Sequence, residues 1–152
     1  MARADFRCEH RLRVRWAEVD MQKVVFNGHY LTYVDNAVAD YWRAIGLPYP
    51  DGYVDRYGND MFLRKATVEY LGSARYDDEL SVYARVARLG RSSMNFMFEI
   101  ARSGPSPNTD PLVAAELVYV NADPRTMTPA PLPGDLRERI RAYEATAPQE
   151  AG

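Results

Sequence analysis

The sequence predicts an α+β protein in which a five-stranded antiparallel sheet wraps round one long helix, with a short helix following near the C-terminus. Three observations carry this expectation. Period-two alternation of apolar and polar residues recurs in five segments. One segment, Gly28 to Ile45, is apolar round most of a helical circumference. The late strands are joined by short links, which imply an antiparallel meander and not a βαβ arrangement.

Residues Phe6 to Trp16 alternate without a break. Phe6, Cys8, His10, Leu12, Val14 and Trp16 share one face, and Arg7, Glu9, Arg11, Arg13 and Arg15 the other, as in a strand with one wet or subunit-facing side. In the helical segment, Thr32, Asp35, Asn36, Asp40 and Arg43 fall within roughly 140° of one another at ~100° per residue. Tyr30, Leu31, Tyr33, Val34, Ala37, Val38, Tyr41, Trp42 and Ile45 cover the remainder, so the helix suits enclosure by a curved sheet. Gly46 and Pro48 end it. The connection from Leu47 to Asp60, LPYPDGYVDRYGND, is long and turn-rich, and Tyr49, Tyr53 and Tyr57 suit either a pocket lid or an anchored loop.

Strands are then expected at Met61 to Leu71, Glu79 to Leu89, Ser93 to Arg102 and Leu112 to Asn121, the clearest being the third, where Met94, Phe96, Phe98 and Ile100 alternate with polar neighbours. Arg88-Leu89-Gly90-Arg91-Ser92 suits a hairpin, and Gly104-Pro105-Ser106-Pro107-Asn108 a wider turn. A proline-rich segment from Asp123 to Gly134 leads to Asp135 to Tyr143, read as a short helix with Asp135 near its N-terminus.

Composition narrows the function classes. The 152 residues suit one domain, 1–152, with its core at about 6–121. With 47% hydrophobic and 26% charged residues and a net charge of -2, neither nucleic acid nor an anionic membrane is an expected partner, and the arginine row of the first strand reads as a solvated or subunit-facing surface. No apolar run is long enough to span a bilayer. The lone Cys8 forms no internal disulfide and MARADFRCEH lacks a signal-peptide core, so the cytoplasm is the expected location. Two histidines and one cysteine leave a structural zinc site short of ligands; no metal or other cofactor is expected.

Trp16-Ala17-Glu18-Val19-Asp20, an aspartate just after the first strand, is followed by Val24-Val25-Phe26-Asn27-Gly28-His29-Tyr30 leading into the long helix. Further along stands Tyr70-Leu71-Gly72-Ser73-Ala74-Arg75-Tyr76-Asp77-Asp78-Glu79-Leu80. At this separation the stretches resemble the hotdog-fold acyl-CoA thioesterases of the 4-hydroxybenzoyl-CoA thioesterase type, over roughly residues 6 to 121. Two departures stand out. Many relatives have a small or glycine-containing turn after the aspartate, where this chain has Met21-Gln22-Lys23, and many have tyrosine or histidine where it has Asn27.

The resemblance implies hydrolysis of an acyl-CoA or acyl-carrier thioester, in a homodimer or homotetramer with sites between subunits. Such a reaction needs a base or nucleophile and a site for the developing oxyanion. Asp20 is the candidate for the first, either as general base on water or by direct attack to a mixed anhydride. The start of a helix near Asn27 or Gly28 supplies unpaired N–H groups for the second, and by the resemblance the Asn27 N–H is the donor. His29, in the first turn, is a candidate contact to the thioester or leaving group. Gly28 and Tyr30 are candidate substrate contacts, Gly28 because a β-carbon would obstruct close approach. Arg88 and Arg91 are candidates for the CoA phosphates, with Arg64 and Lys65 as alternatives. Glu18, two residues before Asp20, is excluded because a continuing strand would point it to the opposite face. Two other readings remain: a hotdog enoyl-thioester hydratase or dehydratase, whose Asp-x-Asn-Pro-x-His pattern is not matched here, and a non-catalytic acyl-thioester binding module.

Overall fold

Helix α1 (His29–Ala44) buries Tyr30, Tyr33, Val34, Ala37, Val38, Tyr41 and Trp42. Thr32, Asp35, Asn36 and Arg43 face outward as expected, and Leu31 joins that exposed stripe. Gly46 ends the helix in a left-handed conformation, φ 82°, which frees its N–H to reach the Arg43 carbonyl and that of Leu47 to reach Trp42. These paired bonds close the last turn, and a residue without a β-carbon is favoured at this position. The computed structural model describes residues 2–104 and 110–151.

A sheet curves round this helix. Its strands are β1 (Cys8–Arg13), β2 (Asp60–Tyr70), β3 (Glu79–Leu89), β4 (Ser93–Arg102) and β5 (Val113–Ala122), in the spatial order β1-β3-β4-β5-β2 with antiparallel neighbours throughout. The expected strands are all present, and their bounds differ by one residue or none from β2 onward. Met94, Phe96, Phe98 and Ile100 point inward and are buried, and Phe96 meets Tyr41 edge-to-face with ring centroids 5.0 Å apart. This contact joins sheet to helix through large apolar surfaces, the dominant favourable term in burial. The inward face of β2 is only partly covered: Leu63 and Tyr70 are each 52% exposed, although the Tyr70 ring stands 5.9 Å from that of Tyr30 on α1.

Three expectations need correction, and a fourth is not reached. The first strand stops at Arg13, because Val14 exchanges backbone hydrogen bonds with Asp78 and Asp77 and the chain then enters a 3-10 turn, Trp16–Glu18. Trp16 consequently leaves the inward face and stands exposed. The supposed loop contains helix α2 (Asp51–Tyr57), whose tyrosines anchor it: the Tyr53 hydroxyl donates to Asn121 at 2.7 Å and that of Tyr57 to Asp135 at 2.7 Å. Its seven residues, rich in turn formers, are too few to display a helical period. A sixth strand, β6 (Gln149–Glu150), pairs in parallel with Arg88 and Leu89 of β3, so the sheet is not wholly antiparallel. The wider turn expected at Gly104 to Asn108 lies outside the described residues from Pro105 onward.

Helix α3 (Gly134–Tyr143) packs beside α1 and carries Glu144 to the core just after its end. There the Glu144 carboxylate accepts from the Tyr41 hydroxyl at 2.6 Å and the Val86 N–H at 2.9 Å. Burial pushes the Glu144 carboxyl above its ordinary value. The side chain thus ties α3 to both helix and sheet. Replacing Tyr41 with phenylalanine removes one donor from a buried carboxylate and is expected to lower stability by about 1–3 kcal/mol, read as a shift in the urea unfolding midpoint.

Candidate active site

Between β1 and α1 the chain doubles back on itself. Val19 and Val25 form an antiparallel bridge, the Asp20 N–H donates to the Val24 carbonyl at 2.9 Å, and the Lys23 N–H returns to the Asp20 carbonyl at 2.9 Å. The result is a three-residue turn, Met21-Gln22-Lys23, with Lys23 in the left-handed region at φ 66°, a position where glycine is usual. One oxygen of the Asp20 carboxylate accepts the Gln22 N–H at 2.8 Å; the other has no partner among the described residues. This is the turn-stabilising role that any aspartate in such a place can fill. It leaves one oxygen oriented and available.

The second half of the site is the entry to α1. The His29 N–H donates to Phe26 and that of Tyr30 to Asn27, whereas the N–H groups of Asn27 and Gly28 have no acceptor among the described residues. Unpaired donors and the positive end of the helix dipole therefore stand together. Asp20 and Asn27 line a single cavity of about 280 Å³, together with Gln22, Val24, Val25, Tyr30, Tyr70, Gly72 and Ser73. The Val25 N–H bonds to the Ala74 carbonyl, and the Tyr30 hydroxyl accepts the Ala74 N–H at 3.0 Å, so the link after β2 closes one wall. Burial raises the Tyr30 hydroxyl above its ordinary value, which keeps it neutral.

The remaining candidates are placed differently. His29 packs edge-to-face against Phe26 at 5.8 Å and does not line the Asp20–Asn27 cavity. Gly28 has an ordinary helical conformation, and a β-carbon there would stand about 3.0 Å from the ring of the half-exposed Phe26, so a side chain at this position would require that ring to shift. Arg88 and Arg91 lie at the far end of β3, roughly 30 Å of extended chain from the end that borders the site. Arg88 lines a cavity on the outer face of the sheet with Arg85 and Asn95, and the Arg91 carbonyl accepts the Leu132 N–H. A single chain therefore does not unite them with Asp20. Arg64 and Lys65 sit on the exposed edge strand β2.

Glu18, excluded from the sequence, holds the frame of the site. Its carboxylate accepts the Arg15 N–H at 2.8 Å, the Tyr33 hydroxyl at 2.9 Å and the Arg15 guanidinium at 3.1 Å, and its carbonyl accepts the Phe26 N–H. It binds the 3-10 turn before Asp20 to the second turn of α1. Alternation failed here because the strand had already ended. The Arg15-to-Glu18 spacing, in which an acid reaches back to the N–H three residues earlier, was the available signal. Among the described residues no group of three or more His, Cys, Asp or Glu side chains is arranged to hold a metal ion, and no helix is long and apolar enough to cross a membrane.

Burial alone would raise the Glu18 carboxyl, but the Arg15 N–H, the Tyr33 hydroxyl and the Arg15 guanidinium outweigh it and hold the group below its ordinary 4.5. A depressed folded-state value contributes stability above 4.5 that is lost as pH falls through the lowered value. Glu18→Gln is expected to remove this part of the acid limb, so that wild type and variant converge in stability as pH drops below 4.5. Parallel urea titrations across that window check it; a constant gap would contradict the linkage.

Comparison with known proteins fits this geometry. Residues 22–106 match the family model described as Thioesterase superfamily. The chain is 29% identical over 125 residues to the acyl-CoA thioester hydrolase YbgC of Escherichia coli, covering 82% of this chain and 89% of that protein. A thioesterase from Thermus thermophilus, solved with coenzyme A and zinc, superposes with a TM-score of 0.78 at 29% identity, covering 93% of this chain and 97% of that one. A 4-hydroxybenzoyl-CoA thioesterase solved with 4-hydroxybenzoyl-CoA has a TM-score of 0.78 at 20% identity over 87% of this chain and 96% of its own, a likeness of fold. A family match over more than half of the chain, on a hotdog sheet closed round one helix, makes the protein a member of the thioesterase superfamily.

Proposed function

We propose that the protein hydrolyses an acyl thioester of coenzyme A or of an acyl carrier, with Asp20 as the reactive carboxylate and the Asn27 N–H as the oxyanion donor. The observation that carries this is the shared cavity: Asp20, with one carboxylate oxygen available, and Asn27, whose N–H is unpaired, line the same space. Two routes suit that arrangement. As general base, Asp20 takes a proton from water while the oxygen attacks the carbonyl carbon; the oxyanion accepts the Asn27 N–H, and its collapse expels the thiolate, which regains the proton from Asp20. As nucleophile, Asp20 itself displaces the thiolate and water then hydrolyses the mixed anhydride. The acyl-CoA activity named for the Escherichia coli relative and the coenzyme A held by the Thermus protein support the substrate class. The cytoplasm is the compartment in which we place this activity.

The protein works, in this reading, as a homodimer or homotetramer. The inward face of β2 leaves Leu63 and Tyr70 half-exposed on an edge strand, and a second copy laid against it would remove that surface from water. Such a copy also offers His29, Arg88 and Arg91 a route to the site of a neighbour. Sedimentation velocity is expected to show a dimer or larger species; a monomer at micromolar concentration contradicts it.

The decisive assay is thiol release from short, long and aryl acyl-CoA substrates by the wild type and Asp20→Asn. The variant is expected to lose at least about 10²-fold in kcat. Near-normal turnover would remove Asp20 from the mechanism.

A further inference from the structure

Asp20 borders a second cavity, of about 330 Å³, whose other walls are Trp16, Val19, Lys23 and Tyr76. We propose that this cavity is a subsite for a short acyl group ending in a carboxylate, with Lys23 as the residue that selects the charge. The proposal rests on the thioesterase reading above and names the substrate class for it.

A thioester whose carbonyl lies against Asp20 has two arms, one acyl and one leading to the thiol carrier, and Asp20 has a cavity on each flank. The phosphates of coenzyme A are a full pantetheine arm away from the sulfur. A cation in the same cavity as the reactive carboxylate is therefore too close to the carbonyl to serve them, and an anion meeting it belongs to the acyl group. Lys23 is that cation, and among the described residues it makes no ion pair that would occupy it. The turn geometry does not itself ask for lysine: at φ 66° a glycine would be unstrained, whereas a side chain there is disfavoured. Keeping a long cationic side chain at this position has a chemical use if the substrate brings a second negative charge beside Asp20. Without Lys23 the two carboxylates would repel one another; the ammonium offsets that repulsion.

The walls suit the rest of such an acyl chain. Trp16 and Tyr76 are 78% and 53% exposed and pack edge-to-face at 5.4 Å, presenting apolar surface on which methylenes can lie. The volume stands at the lower end of small-molecule pockets, which favours a short chain.

The test compares adipoyl-CoA with hexanoyl-CoA, equal in chain length and differing in the terminal carboxylate. The readout is the ratio of their kcat/KM values in wild type, Lys23→Met and Lys23→Arg. The wild type should favour adipoyl-CoA, Lys23→Met should lower the ratio by about tenfold, the scale of a charge-assisted hydrogen bond, and Lys23→Arg should retain most of it. A ratio that Lys23→Met leaves unchanged overturns the proposal, as does a wild-type preference for the neutral chain. Calorimetric binding of the matching non-hydrolysable thioethers reads the same discrimination without chemistry. Failure of both thioesters to turn over while the thioethers still discriminate would overturn the hydrolase reading and leave the subsite standing; hydrolysis without discrimination would do the reverse.

Discussion

Everything at the site depends on the burial of α1. Tyr33, Val34, Ala37, Tyr41 and Trp42 leave the helix little freedom to roll or slide, because each rotation would withdraw large side chains from a close-packed interior. The N-terminus of α1 is thereby held at one place on the rim of the sheet. Its unpaired N–H groups are a property of any helix; that Asn27 shares a cavity with Asp20 is a property of this packing.

Two carboxylates close in sequence take different parts because their surroundings differ. Glu18 is buried and surrounded by donors, and its bonds to Arg15 and Tyr33 join the 3-10 turn to the helix. Asp20 lies beyond that anchor in a tight turn, with a single backbone donor on one oxygen and cavities on both flanks. The first fixes geometry and the second is left accessible to a substrate. A polar group bound by several donors is slow to exchange them, whereas a group with one oxygen free costs little to engage.

Apolar surface also stands open near the site. Leu63 and Tyr70 on the inward side of β2 are half-exposed, and Trp16, Met21 and Tyr76 stand in solvent around the turn that holds Asp20. Exposed apolar surface concentrated at one end of a molecule is where ligands and partner surfaces meet. Arg88 and Arg91 stand at the far end of β3, and His29 packs on Phe26 without lining the Asp20–Asn27 cavity.

Much of this fold was legible in the residues themselves. The periods of 2 and 3.6 identified five strands and the enclosed helix, and β3 and β4 matched to the residue, because their buried faces leave a regular imprint on the chain. The resemblance paired Asp20 with Asn27, and the two line one cavity. What the sequence could not determine was decided by contacts between distant segments. Val14 meets Asp77 and Asp78, more than sixty residues on, and that pairing ends β1, turns Trp16 outward and brings Glu18 inside. Helix α2 and strand β6 are too short for any period and exist because Tyr53, Tyr57 and the end of β3 hold them. Periodicity records which face of an element is buried; where an element stops, and which cavities border its last residue, is set by what it packs against.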